Sequence, residues 1–276
     1  MDRKEVLRSL LVIQNRLAGT IPKRLRPLFA SLEANDRGML FVGARGVGKT
    51  TFLLSRLGKG HFFYFSADNP LATTVPLFDL IEGAFLEGYE GVFLDEVHYA
   101  EDWSRHLKAA YDAFPGKIFW ASDSSTIVLR KGLADLSRRF RVKHIPLLSF
   151  REYLALRENL TVPILNPYRA SAAEIGDLMG KANILRLFRD YLAHGFRPIF
   201  LEGRESYLDK VMDTLSKAMQ ADIPFLVPRL TENHLRLMNA VIGYLAVSSI
   251  PTLAVNTLCD EWGLSKEKLY QLLEAM

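Results

Sequence analysis

Gly43-Ala44-Arg45-Gly46-Val47-Gly48-Lys49-Thr50-Thr51 follows the apolar run Met39-Leu40-Phe41-Val42 and leads into Phe52-Leu53-Leu54. This patterning predicts a buried strand, a glycine-rich loop and a helix, and the loop fits the spacing G-x-x-x-x-G-K-S/T. Glycines let the backbone turn successive N–H groups toward phosphate oxygens, and the helix that follows offers its positive N-terminus. On this reading Gly43, Ala44, Arg45, Gly46, Val47, Gly48, Lys49, Thr50 and Thr51 bind a nucleoside triphosphate. Lys49 reaches the β- and γ-phosphates, and the Thr50 hydroxyl ligates Mg²⁺. The plain alternative is a glycine turn capping an ordinary helix.

Downstream, Val92-Phe93-Leu94-Asp95-Glu96 sets two carboxylates after an apolar run. That places them at the carboxyl end of a buried strand, where open α/β sheets bind ligands. Asp95 is then the second Mg²⁺ residue, and Glu96 the base that orients and deprotonates an attacking water. Otherwise the pair is a helix cap with first-turn charge. A fourth apolar strand ends in Ala121-Ser122-Asp123-Ser124-Ser125, where Ser122 first and Ser124 second could bridge the water or the γ-phosphate; a Ser-rich turn is the alternative. Arg138 and Arg139 precede a fifth strand, and either could reach a nucleotide on a neighbouring subunit or stand as surface charge. His61, His98 and His144 stand alone in the sequence and read as structural or surface histidines.

Further out, strands at HFFYFS, GVFLDE, KIFWAS and RVKHIPL alternate with helical segments, including one just before the last strand. Their continuous apolar character points to a parallel sheet covered on both faces. Four parts are expected: a basic helical arm over 1–35, broken at Pro22 and Pro27; an α/β core over 36–150; a helical region over 151–228; and a helical tail over 229–276. Helical periodicity covers 149–158, 172–194 and 204–220, while Ile223-Pro224 and Val227-Pro228 read as a linker. The uncharged stretch from Leu237 to Asn256 holds Asn239, Gly243 and Pro251, so it reads as a buried helix, a turn and a new helix rather than a membrane span.

The 276 residues are 49% hydrophobic and 24% charged, which excludes a disordered or collagen-like chain. A single cysteine, Cys259, allows no internal disulfide and no Cys-rich zinc site, and points to a reducing, cytoplasmic compartment. The N-terminus lacks a signal-peptide pattern. Net charge is only +4, but residues 1–30 carry seven basic against two acidic residues, and 128–151 carry seven (Arg130, Lys131, Arg138, Arg139, Arg141, Lys143 and Arg151) against Asp135. These runs are either solvated faces or surfaces that meet phosphate.

Together GARGVGKTT, FSADNP, GVFLDEVHYAEDW, WASDSS and LSRRF…PLLSFREYL resemble the AAA-type P-loop ATPases of archaea and bacteria. The likeness is good over roughly 35–155 and weak beyond. It implies a five-stranded core in the order 5-1-4-3-2, ATP with Mg²⁺, a helical lid and a winged-helix domain. Members continue past the position of Met276 into a further domain of unknown function, beyond the residues of this sequence. The chain departs from the family where members have Thr-Gly, here Ala121-Ser122, and where they have a Gly-Gly-aromatic-Pro-Glu turn, here Gly195-Phe196-Arg197-Pro198-Ile199.

The tail, TLAVNTLCDEWGLSKEKLYQLLEAM, resembles the helix-turn-helix of a winged helix: one helix to about Trp262, a turn at Gly263, and a second helix capped by Ser265. DNA reading would place Lys266, Lys268, Tyr270 and Gln271 outward, although Asp260, Glu261, Glu267 and Glu274 oppose phosphate. The expectation is Mg²⁺-dependent ATP binding and hydrolysis by a nucleotide-driven switch. Its partners are ATP and ADP, a protein client, DNA through the arm or tail, and other copies of the chain in a homo-oligomer, with no membrane. The alternatives are a DNA-binding regulator for which ATP only sets conformation, and a small-molecule kinase. No N-K-x-D base-reading motif occurs, which argues against a GTPase.

Overall fold

The computed structural model describes residues 2–124, 136–166, 168–227 and 229–276. Ser125, Arg130, Lys131, Asp135, Pro228 and the helix expected before the fifth strand lie outside the described residues. The chain forms two compact units, Met1–Leu208 and Asp209–Met276.

The first unit is built on five parallel strands, β1 (Gly38–Val42), β2 (Phe62–Ser66), β3 (Gly91–Asp95), β4 (Ile118–Asp123) and β5 (Arg141–His144), in the order 2-3-4-1-5. Read from the other edge, this is the expected 5-1-4-3-2. In register, Leu40 pairs with Ala121 and Val142, and Phe65 with Leu94. Side chains alternate between the faces, as the pleat requires. Leu40, Val42, Phe63, Phe65, Val92, Leu94, Phe119 and Ala121 line one face, under helices α1 (Arg3–Ala18), α4 (Leu77–Leu86) and α5 (Trp103–Ala113). Met39, Phe41, Tyr64, Phe93 and Trp120 line the other, with α2 (Pro27–Ser31) and α3 (Lys49–Arg56). Here Trp120 stacks on Phe93 with ring centroids 4.9 Å apart, and Phe41 packs on Phe52 at 4.7 Å.

The basic N-terminal segment is therefore part of the core. α1 buries Val6, Leu7 and Leu10, and its Gln14 reaches the outer side of β2. Gln14 Oε1 accepts from the Tyr64 N–H at 2.7 Å, and Nε2 donates to the Phe62 carbonyl at 3.4 Å. An amide side chain thus takes the place of a sixth strand on an edge that would otherwise be open to another chain. Pro27 begins α2, where its missing N–H costs nothing.

Beyond β5, α6 (Phe150–Glu158) starts with a capping box between Ser149 and Glu152. The helical run expected over 172–194 is two helices, α7 (Ala172–Lys181) and α8 (Ile184–His194), because Asn183 caps the second by accepting from the Arg186 N–H. Leu154, Val162, Ile184 and Leu187 form their own small core.

α9 (Tyr207–Lys217) runs on through a wide turn, Ala218–Asp222, into α10 (Ile223–Leu226). The linker expected at 223–228 is thus helical through Leu226, with Pro224 directly after the wide turn in a continuous helical run. The second unit continues with α11 (Glu232–Val247), α12 (Val255–Trp262) and α13 (Lys266–Ala275). Gly263 closes α12 in the left-handed conformation, and Ser265 caps α13 by accepting from the Lys268 N–H. No helix among the described residues is long and apolar enough to cross a membrane.

Candidate nucleotide site

Between β1 and α3 the loop rises over the carboxyl end of the sheet, with Gly46 at φ 81° and Gly48 at φ 97°. Side chains rarely adopt these angles, so the loop's path depends on glycine there. It borders a cleft of about 650 Å³ that is also lined by Tyr64, Ser66 and Asp68 from β2 and its exit, by Asp95 and Glu96, and by Pro198, Ile199, Leu201 and Glu202. Arg197 Nε donates to the Arg45 carbonyl at 3.1 Å, joining the 195–199 turn to the loop.

Lys49 is buried, and its ammonium donates to the carbonyls of Gly43 at 2.9 Å and Ala44 at 3.4 Å. Burial lowers its pKa, while the charges of Glu96, Asp95 and Asp123 pull the other way. The Thr50 hydroxyl donates to Asp95 Oδ2 at 2.5 Å, the Tyr64 hydroxyl to the same oxygen at 3.0 Å, and the Ser122 hydroxyl to Asp95 Oδ1. A carboxylate and a hydroxyl side by side, both hard oxygen donors, fit Mg²⁺ rather than a thiophilic metal.

Glu96 has left-handed backbone, φ 47° and ψ 53°, uncommon for a residue with a side chain. Its Oε2 accepts from the Ser124 hydroxyl at 2.7 Å. Burial raises its pKa, Lys49 opposes the rise, and Asp95 adds to it. A carboxyl moved toward neutrality is suited to take a proton from water.

The structure brings Lys49, Thr50, Asp95 and Glu96 together at one cleft. Ser122 is fully buried and meets the carboxylate of Asp95, whereas Ser124 meets Glu96. Arg138 and Arg139 come just before β5, and the Arg139 carbonyl lies against Gly38 at the start of β1, at the amino end of the strands rather than the carboxyl end that carries the cleft. Arg139 forms a two-pronged pair with Asp112, both distances 2.7 Å. His98, read as isolated, is not: its backbone N–H donates to Asp123 Oδ2 at 3.1 Å, and its Nδ1 lies 3.1 Å from that oxygen and 3.8 Å from Glu96 Oε2. The sequence hides this because 25 positions separate His98 from Asp123 and only β3–β4 pairing brings them together. Tyr64 was also missed, and a polar tip on the loop-facing side of β2 was its one signal.

A five-stranded parallel sheet in this order, with such a loop after β1 and an acidic pair after β3, defines a P-loop nucleoside triphosphatase domain. Residues 35–154 match the family model of an AAA domain. That match covers the sheet and the loop after β1, and places an AAA domain within the chain over those residues. It is 28% identical over 211 residues to the uncharacterized protein MJ1637 of Methanocaldococcus jannaschii, an alignment that covers 67% of this chain and 43% of that one. The chain thus spans less than half of that relative's length. Among solved structures it is similar to the Walker-type ATPase PABY2304 of Pyrococcus abyssi, at 16% identity and TM-score 0.43, covering 99% of this chain and 88% of the other. It is also similar to the RuvB Holliday junction branch migration motor of Thermotoga maritima, at 18% identity and TM-score 0.35, covering 99% and 86%.

Proposed function

We propose that the chain binds ATP with Mg²⁺ in the cleft around Lys49, hydrolyses it, and works as a nucleotide-driven switch. One observation carries this reading: the raised carboxyl of Glu96, held by Ser124, lines the same cleft as Lys49 and the Thr50–Asp95 pair. Mg²⁺, when bound, would offset phosphate charge, and Thr50 and Asp95 are the residues that would hold it. Tyr64 and Ser122 keep the Asp95 carboxylate oriented. Lys49 exchanges its two carbonyl partners for phosphate oxygens. Glu96 takes a proton from water as that water's oxygen bonds to the terminal phosphorus, and ADP leaves with the electrons of the broken P–O bond. Arg138 and Arg139 lie away from this chain's own cleft, so in this reading either would act on the cleft of another copy, and Arg139 would have to leave Asp112 to do so.

Calorimetry and phosphate release test the reading. Lys49→Ala should lose MgATP binding, and Glu96→Gln should keep it while turning over about 10²–10⁴-fold more slowly. Wild-type turnover in Glu96→Gln would remove the water-activating role. No heat from MgATP or MgADP with the wild type would remove the whole proposal.

A second reading, DNA recognition by the second unit, has one observation in its favour. α12 and α13 meet at a glycine turn, with Lys266, Tyr270 and Gln271 exposed on the second helix. It requires duplex binding that weakens steeply with salt.

A further inference from the structure

Arg26 lies between α1 and α2, outside every motif of the sequence, and its side chain is only 3% exposed. A guanidinium stays charged even when buried, so burying it is costly unless its donors are met. Here all five N–H groups have acceptors. Nε and Nη2 donate to the two carboxylate oxygens of Glu152 at 2.9 and 3.0 Å. Nη1 donates to the carbonyls of Val47 at 2.8 Å and Pro146 at 2.9 Å, and Nη2 also reaches that of Leu147 at 3.5 Å.

Val47 belongs to the phosphate loop. A trans peptide points its C=O and the following N–H in opposite directions. Holding the Val47 carbonyl on Arg26 therefore aims the Gly48 N–H away from the guanidinium, toward the concave side of the loop. The same segment backs the loop a second time, since a Cβ on Gly48 would lie 3.3 Å from the Phe29 ring. Glu152, the other anchor, accepts from the Ser149 N–H and hydroxyl at the start of α6.

We infer that Arg26 is a positioning residue for the phosphate loop: it sets the Val47–Gly48 peptide so that the Gly48 N–H faces bound phosphate, and through Glu152 it ties that peptide to the first turn of α6. The inference rests on the nucleotide reading above. It makes nucleotide affinity depend on a side chain that touches no nucleotide.

The test is calorimetric titration of MgADP into the wild type, Arg26→Lys, Arg26→Met and Leu107→Ala, each at a temperature where circular dichroism shows it folded. Leu107 is buried in α5 and serves as the purely structural control. All three variants should melt earlier. Both Arg26 variants should bind MgADP about tenfold or more weakly, while Leu107→Ala stays within about twofold of the wild type. Lysine keeps the charge but cannot supply the forked donors, so it should not rescue. If Arg26→Met does not fold, Arg26→Lys decides alone. A folded Arg26→Lys with wild-type affinity overturns the inference and leaves the nucleotide reading standing. No heat from the wild type overturns the nucleotide reading, and the inference with it.

Discussion

At Glu96 a left-handed backbone and a carboxyl withdrawn from water meet in one residue. Because its folded pKa is raised, the folded protein holds that proton more tightly than the unfolded chain does. Stability therefore falls as pH rises from the ordinary carboxylate value through the raised one. Glu96→Gln should accordingly raise the thermal midpoint at neutral pH, with a gain that shrinks as pH is lowered, even as turnover is lost. A lower midpoint at neutral pH would show that the Ser124 bond outweighs the burial cost. Glu152 has the opposite sign. Burial would raise its pKa, but hydrogen bonds from Arg26 and Ser149 bring it below the usual carboxylate range. Its contribution is present above the ordinary carboxylate value and lost as pH falls through the depressed one. Urea midpoints of the wild type and Glu152→Gln should converge in acid and separate above it. Lys49, Thr50, Asp95 and Glu96 are legible in the sequence because each sits in a short pattern set by a strand end. The pairing of Arg26 with Glu152 is not, since 126 positions separate the two and the one local pattern here, the Ser149–Glu152 capping box, says nothing of Arg26.

Among the elements, β2 shows how a helix can finish a sheet. Its outer backbone would be a row of unmet donors and acceptors, and α1 meets part of it with the single amide of Gln14. Gln14→Leu keeps the bulk but strands the buried Tyr64 N–H, so unfolding in urea should show a loss of about 1–3 kcal/mol. A change under about 0.3 kcal/mol would mean that water replaces the amide. Strand positions were readable because apolar runs bounded by Gly, Pro and Asp leave few options. Two helical details were not. Asn183 splits a periodic stretch by capping from within it, and Pro224 looks like a breaker but sits in a helical run that widens just before it.

On the scale of the whole molecule, every residue lining the nucleotide cleft lies between Pro22 and Glu202, inside the unit Met1–Leu208. A chain ending at Leu208 should therefore bind MgADP within about threefold of the 276-residue chain by calorimetry, and a larger loss would show that residues 209–276 contribute to the cleft. The order of the strands has a consequence for how this protein is made. Among the described residues β1 pairs with β4 and β5, and β3 reaches β1 by way of β4. While a ribosome is still upstream of Ile118, the nascent chain holds an orphan first strand and a separate β2–β3 pair, both with sticky faces and nothing between them. Closure must wait for one late wedge, so a translational pause before residue 118 would leave the chain aggregation-prone, and a pause after β4 has emerged would let it zip shut.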